Sequence, residues 1–190
     1  MNFQDLWGLE TWDGINPALK DAVDEFYDVT YEWPVDDGRI TTVYGPTTPV
    51  LTPDGPSNKN HNGIDIAPSI PGTTGQDVKA SAKGKVTSVE TDNESGYGTT
   101  VTISHPDGNT SRYSHLDSTT VEVGQNVGQS DVVGTLGNTG KSQKAHLDFR
   151  VTDENGNYID PLTLLPERPE TITVEEKWVT TKEDGTLCNK

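Results

Sequence analysis

Four short stretches hold the side chains able to do chemistry. They are "HNGIDIA" from His61, "RYSHLDS" around His115, "AHLDFR" from Ala145 to Arg150, and the turn "SHPDG" around His105. These contain all 4 histidines of the chain. Along an extended strand side chains alternate, so His146 and Asp148 point to one side. His61 and Asp65 are four residues apart, with Gly63 between them and the β-branched Ile64 and Ile66 around the aspartate. That texture describes a loop running into a strand rather than a helix, and it still allows the two groups to lie close. Imidazole and carboxylate are ordinary ligands for zinc. Spacing alone also permits a bland reading, in which these are surface and turn residues. His115 on its own is equally compatible with a satisfied structural histidine.

Several elements must converge for these groups to meet. From Trp33 onward the chain is a series of short β-branched runs bounded by Gly, Pro, Asn or Asp. They are "RITTVYG", "NGIDIA", "DVKASAKGKVTSVE", "GTTVTIS", "TSRYSHL", "TVEVGQNV", "DVVGTLG" and "AHLDFRV". This pattern predicts a mainly β fold. Asp107-Gly108 marks a hairpin turn. Residues 14–30 read as the one amphipathic helix, with Pro17 in its first turn and Asn16 as N-cap. Residues 47–60 form a Pro/Gly/Asn loop leading into His61. The predicted organisation is an N-terminal extension with a helix (1–32), one β domain (33–166) and a charged tail (167–190), the tail carrying one possible strand at "TITVEEKWV".

The chain has 190 residues, enough to bury a real core, and a hydrophobic fraction of only 30%. Its net charge of −16 opposes binding to nucleic acid or to an anionic membrane. The single cysteine, Cys188, excludes an intrachain disulfide. No segment reaches the ~18 apolar residues of a spanning helix, so no membrane insertion is expected. No basic stretch followed by an apolar run marks a secretory signal in this sequence.

"HNGIDIA", "ASAKGKV", "GYGTTVTISHPDG", "RYSHLDS", "VEVGQNVGQSDVVGTLGNTGKS", "AHLDFRV" and "IDPLTLL" occur in the order and spacing of the LytM/lysostaphin-like zinc metallopeptidases, the M23 family. The resemblance covers roughly residues 33–166. It implies an antiparallel β-sheet folded as an open, barrel-like sandwich, and hydrolysis of peptide bonds in bacterial peptidoglycan, at a stem peptide or a cross-bridge. It implies that His61 and Asp65 are metal ligands, that His115 and His146 are catalytic, and that His105 is structural. The chain departs from the family at one ligand: Asp148 stands where the family's H-x-H motif has its second histidine. A His61/Asp65/Asp148 set would be more oxygen-rich and more negative, favouring zinc less strongly over other divalent ions. Two functional readings follow. One is an active metallo-endopeptidase holding zinc or another divalent metal; the other is a weakened or inactive module used in wall binding or assembly. The resemblance also implies peptidoglycan as partner and an extracellular or wall location. The absence of a visible signal raises a virion-borne, phage-encoded alternative, with the helix or the tail docking to other wall-associated or virion proteins.

Overall fold

The computed structural model describes residues 29–47, 50–52, 55–57, 60–93 and 96–167. Positions 14–28 of the expected helix lie outside them, as do nearly all of the charged tail and its expected strand. Residues 29 and 30 are irregular. No helix among the described residues is long and apolar enough to cross a membrane.

The chain is mainly β and antiparallel, as its residues indicate. The strands are β1 (Arg39–Thr42), β2 (Gly45–Pro46), β3 (Val50–Thr52), β4 (Gly55–Ser57), β5 (Asn60–His61), β6 (Ile64–Ala67) and β7 (Asp77–Lys79). They continue with β8 (Gly84–Asn93), β9 (Gly98–Ser104), β10 (Thr110–Thr119), β11 (Asn126–Val127), β12 (Val132–Leu136), β13 (Leu147–Thr152) and β14 (Tyr158–Ile159). The main sheet has 10 strands, with a central order β1-β6-β13-β10-β9-β8-β11. Strand β12 bridges β10 to β7, and β14 pairs with β13. A short 3-10 turn, Pro161–Thr163, follows, with Asp160 capping it through the Leu162 amide.

Alternation sorts the two faces. Phe149 and Val151 of β13, Ile64 and Ile66 of β6, and Tyr113 of β10 all point into the core. The Tyr113 and Phe149 rings pack at 5.3 Å, tilted by 44°. The intervening positions of β6, β13 and β10 therefore share the opposite face, which carries the polar groups. The turn at Asp107-Gly108 forms as expected: Gly108 has φ 87°, and His105 and Asn109 close the β9–β10 hairpin.

Three segments differ from the sequence reading. "TVEVGQNV" gives only the two-residue β11. Its alternating valines do not mark a strand, because Gly124 at φ 91° and a Gln125-to-Glu122 backbone bond turn the chain there, leaving Val123 exposed. The run from Asp77 to Glu90 is two strands, β7 and β8, separated by a bend at Ser81–Lys83. Within the expected 47–60 loop, β3 pairs with β4 and β5 reaches back to β2.

Candidate metal centre

Register places the key side chains. Asp148 on β13 is the direct cross-strand partner of Asp65 on β6 and of Ser114 on β10. Cross-strand partners share a face at a Cβ separation of about 5 Å. Two carboxylates directly opposite repel each other, so the fold sets up a site that wants positive charge. His61 ends β5, and the bend at Asn62-Gly63 carries the chain into β6. A Cβ at Gly63 would fall 2.3 Å from the Phe149 carbonyl oxygen and 2.6 Å from Arg150 Cγ. Only glycine lets the loop lie this close to β13.

Donor atoms of His61, Asp65 and Asp148 all lie within 4.8 Å of one another. His61 Nε2 and Asp65 Oδ1 approach to 3.2 Å. The two face each other as an ion pair, and both atoms are buried without a hydrogen-bond partner. Orphaned buried polar atoms are costly, and a shared cation satisfies both at once. On these grounds the residues fit a divalent metal. Burial works against charge on Asp65, but His61 alongside it, together with Thr42 and His146, holds its carboxyl below the ordinary value. It is therefore an anion at neutral pH.

Asp148 is different. It is 3% exposed, and both of its oxygens are engaged by one guanidinium: Arg150 Nε donates to Oδ1 at 2.8 Å and Nη2 to Oδ2 at 2.6 Å. Arg150 is two residues further along β13 and so shares Asp148's face. Burial penalises its charge, yet the paired carboxylate more than offsets this and raises its pKa further. Arg150 Nη1 also donates to the Tyr97 hydroxyl at 3.0 Å. The ligand set with Arg150 thus carries one net negative charge rather than two. A cation taking Asp148 must share the carboxylate with the arginine or displace it.

Two further imidazoles flank this cluster. His115 has φ 65°, a left-handed conformation uncommon outside glycine. The β9–β10 register shifts between Tyr113 and Leu116, and His115 N bonds to the Tyr97 carbonyl instead. This bulge brings His115 onto the site face beside Ser114, where strict alternation would point it to the core. Its Nδ1 lies 2.8 Å from the Thr139 carbonyl, which only accepts, so Nδ1 carries the proton and Nε2 is the basic nitrogen. Burial pushes the His115 pKa below its ordinary 6.5. His146 sits just before β13 rather than on it. Its Nδ1 is held by the Lys144 carbonyl at 2.8 Å, with the Ser142 hydroxyl at 3.1 Å. Its Nε2 lies 3.7 Å from Asp65 Oδ1. The His115 and His146 rings are 4.7 Å apart.

All five expected site residues therefore line one cleft of about 330 Å3. His105 does not: it is buried, with Nδ1 on the Lys83 carbonyl and Nε2 on the Ser111 hydroxyl, both at 2.8 Å. The loop 137–144 ahead of His146 supplies Lys141, Ser142 and Gln143 to the cleft. The sequence reading missed Arg150 and Tyr97. Arg150 was open to the same period-two argument that grouped His146 with Asp148. Tyr97 lies in a turn, and nothing local distinguishes it.

Residues 59–161 match the model of Peptidase family M23. The murein hydrolase activator NlpD of Escherichia coli (strain K12) is 33% identical over 141 residues, 73% of this chain and 32% of that protein. This chain thus spans about a third of the length of that relative. The catalytic domain of the antimicrobial peptidase lysostaphin from Staphylococcus simulans superposes with a TM-score of 0.56 at 28% identity, covering 66% of this chain and 90% of that one. A chain from the SpoIIQ–SpoIIIAH pore-forming complex superposes with a TM-score of 0.62 at 25% identity, covering 72% and 90%.

Proposed function

The chain belongs to peptidase family M23, and from that premise we propose that it is a divalent-metal-dependent endopeptidase acting on peptide bonds of bacterial peptidoglycan, at the cell wall. One observation carries this reading. Two orphaned buried ligand atoms, His61 Nε2 and Asp65 Oδ1, face each other beside two imidazoles oriented by backbone carbonyls.

In this reading His61, Asp65 and Asp148 hold the metal, with zinc the first candidate. When bound, such an ion polarises the scissile carbonyl and makes a water acidic enough to attack at neutral pH. His115, neutral at pH 7, takes a proton from the attacking water at Nε2, and Thr139 fixes its tautomer. His146, held by the Lys144 carbonyl, delivers a proton to the departing amine. The Tyr97 hydroxyl accepts from Arg150, and both side chains line the cleft beside the metal ligands. Alongside the cleft, a hollow of about 630 Å3 bounded in part by Arg39, Val43 and Pro71 gives a peptide room to continue past the reacting bond.

The pair formed by Asp148 and Arg150 favours a second reading, a module that binds wall peptides without cutting them. NlpD is named an activator of murein hydrolases rather than a hydrolase. Release of soluble fragments from purified peptidoglycan decides between the two. The hydrolase reading expects release with added zinc, loss with a chelator, and loss in His115→Ala. Binding to peptidoglycan with no release under any divalent metal establishes the module instead.

A further inference from the structure

A second row of side chains crosses the same sheet face, one step along the strands from the two aspartates. Arg150 on β13 is the direct cross-strand partner of Arg112 on β10, and Arg112 is in turn the partner of Thr102 on β9. Two arginines facing each other across a strand pair repel. The repulsion is only half relieved. Arg150 spends its charge on Asp148. The Arg112 guanidinium lies 4.0 Å from the centre of the Tyr97 ring, and Arg150 lies 4.7 Å from the same centre. Stacking on an aromatic face leaves the edge of a guanidinium, with its fork of N–H donors, open. Among the described residues the Arg112 guanidinium forms no ion pair and no hydrogen bond.

This arrangement lies in a hollow of about 430 Å3 bounded by Glu90, Tyr97, Thr102, Arg112, Arg150 and Tyr158. Tyr97 and Arg150 line both this hollow and the cleft that holds the candidate ligands. The two spaces are therefore neighbours that share Tyr97 and Arg150 as a common wall. At about 3.4 Å per residue, Arg112 is roughly 7 Å along β10 from Ser114, the partner of Asp148. That is the reach of one or two residues of a bound peptide.

Resting on the peptidase reading above, we propose that Arg112, stacked on Tyr97, is a subsite for a free carboxylate of the substrate peptide within one or two residues of the reacting bond. A planar carboxylate matches the guanidinium fork and balances the facing arginines. Phosphate fits less well, because the Glu90 carboxylate shares the hollow and repels a doubly charged group more strongly. The subsite would make the protein select wall peptides whose in-chain carboxyl groups are free over those in which they are amidated.

The test uses metal-free protein, so that it reads binding without chemistry. Two synthetic stem peptides are titrated by calorimetry, identical except that one has free in-chain carboxylates and the other carboxamides. The wild-type protein is expected to bind the free form at least about 10-fold more tightly, the scale of one charge-assisted bidentate contact. Arg112→Gln is expected to bind both peptides alike, and Arg112→Lys to keep part of the preference, with thermal melts confirming that both variants are folded. Inorganic phosphate at millimolar concentration is expected not to displace the free form. Equal binding of the two peptides by the wild type, no binding of either, or a preference unchanged in Arg112→Gln overturns the subsite. The peptidase reading is scored separately: peptidoglycan release without carboxylate preference removes only the subsite. A preference without release keeps the subsite and removes the peptidase.

Discussion

Replacing Arg150 with methionine separates the two demands made on Asp148. The pair is nearly buried, with side-chain exposures of 11% and 5%, and its contacts are 2.8 and 2.6 Å. Removing one partner of such a pair typically costs about 3–5 kcal/mol, because the other charge stays buried and uncompensated. Here the remaining charge also faces Asp65 across the strands. The metal-free Arg150→Met protein is therefore expected to be less stable by about 3 kcal/mol. A metal that uses Asp148 relieves that penalty, so the same ~3 kcal/mol reappears as affinity, roughly a 100-fold lower Kd at 1.4 kcal/mol per tenfold. At a zinc concentration about 100 times the wild-type Kd, the wild type gains about 2.7 kcal/mol of stability and the variant about 5.5 kcal/mol. Denaturant unfolding with and without zinc, and a chelator-competition titration, measure both quantities. If zinc stabilises the two proteins equally, Asp148 is not a ligand and Arg150 does not compete with the metal.

Asp148→His alone is expected to lower stability by roughly 3 kcal/mol, because it strands the buried Arg150 charge; adding Arg150→Gln is expected to recover most of this, as read by denaturant unfolding. Burial lowers the His115 pKa, so the folded protein resists protonation that the unfolded chain accepts near 6.5. Its contribution to stability is complete above that pH and is lost as pH falls toward the depressed folded value. The acid limb of the pH–rate profile for peptide release is accordingly expected below the ordinary histidine range, and a limb at or above 6.5 contradicts the assignment. Gly63→Ala is expected to cost about 1–3 kcal/mol, since the added carbon meets backbone on β13 that has little room to yield; an unchanged melting temperature would refute the close-approach argument.

The strands were legible because they rest on local signals. Period-two alternation marks β6, β10 and β13, and the Asp107-Gly108 turn joins β9 to β10. The convergence of His61, Asp65, His115, His146 and Asp148 came from the ordered family motifs, since spacing alone left each residue open to a bland reading. Other features depended on pairing partners distant in the chain. The bulge at His115 arises where β10 exchanges its neighbour β13 for β12, so no window around Tyr113–Leu116 contains its cause. Asp148 read as a free ligand because a sequence does not show which carboxylate a guanidinium will take. The alternating valines near Val123 misled for the converse reason: a turn closed by Gln125 and Glu122 overrode their pattern.

The most direct measurement is an anomalous difference map at the zinc absorption edge from crystals of the zinc-loaded protein. The expected result is one strong peak about 2.0–2.2 Å from His61 Nε2, an Asp65 oxygen and an Asp148 oxygen, the ordinary zinc-ligand distances. No peak at this cluster, or a peak on His61 and Asp65 with Asp148 still bound by both its oxygens to Arg150, would contradict the three-ligand centre.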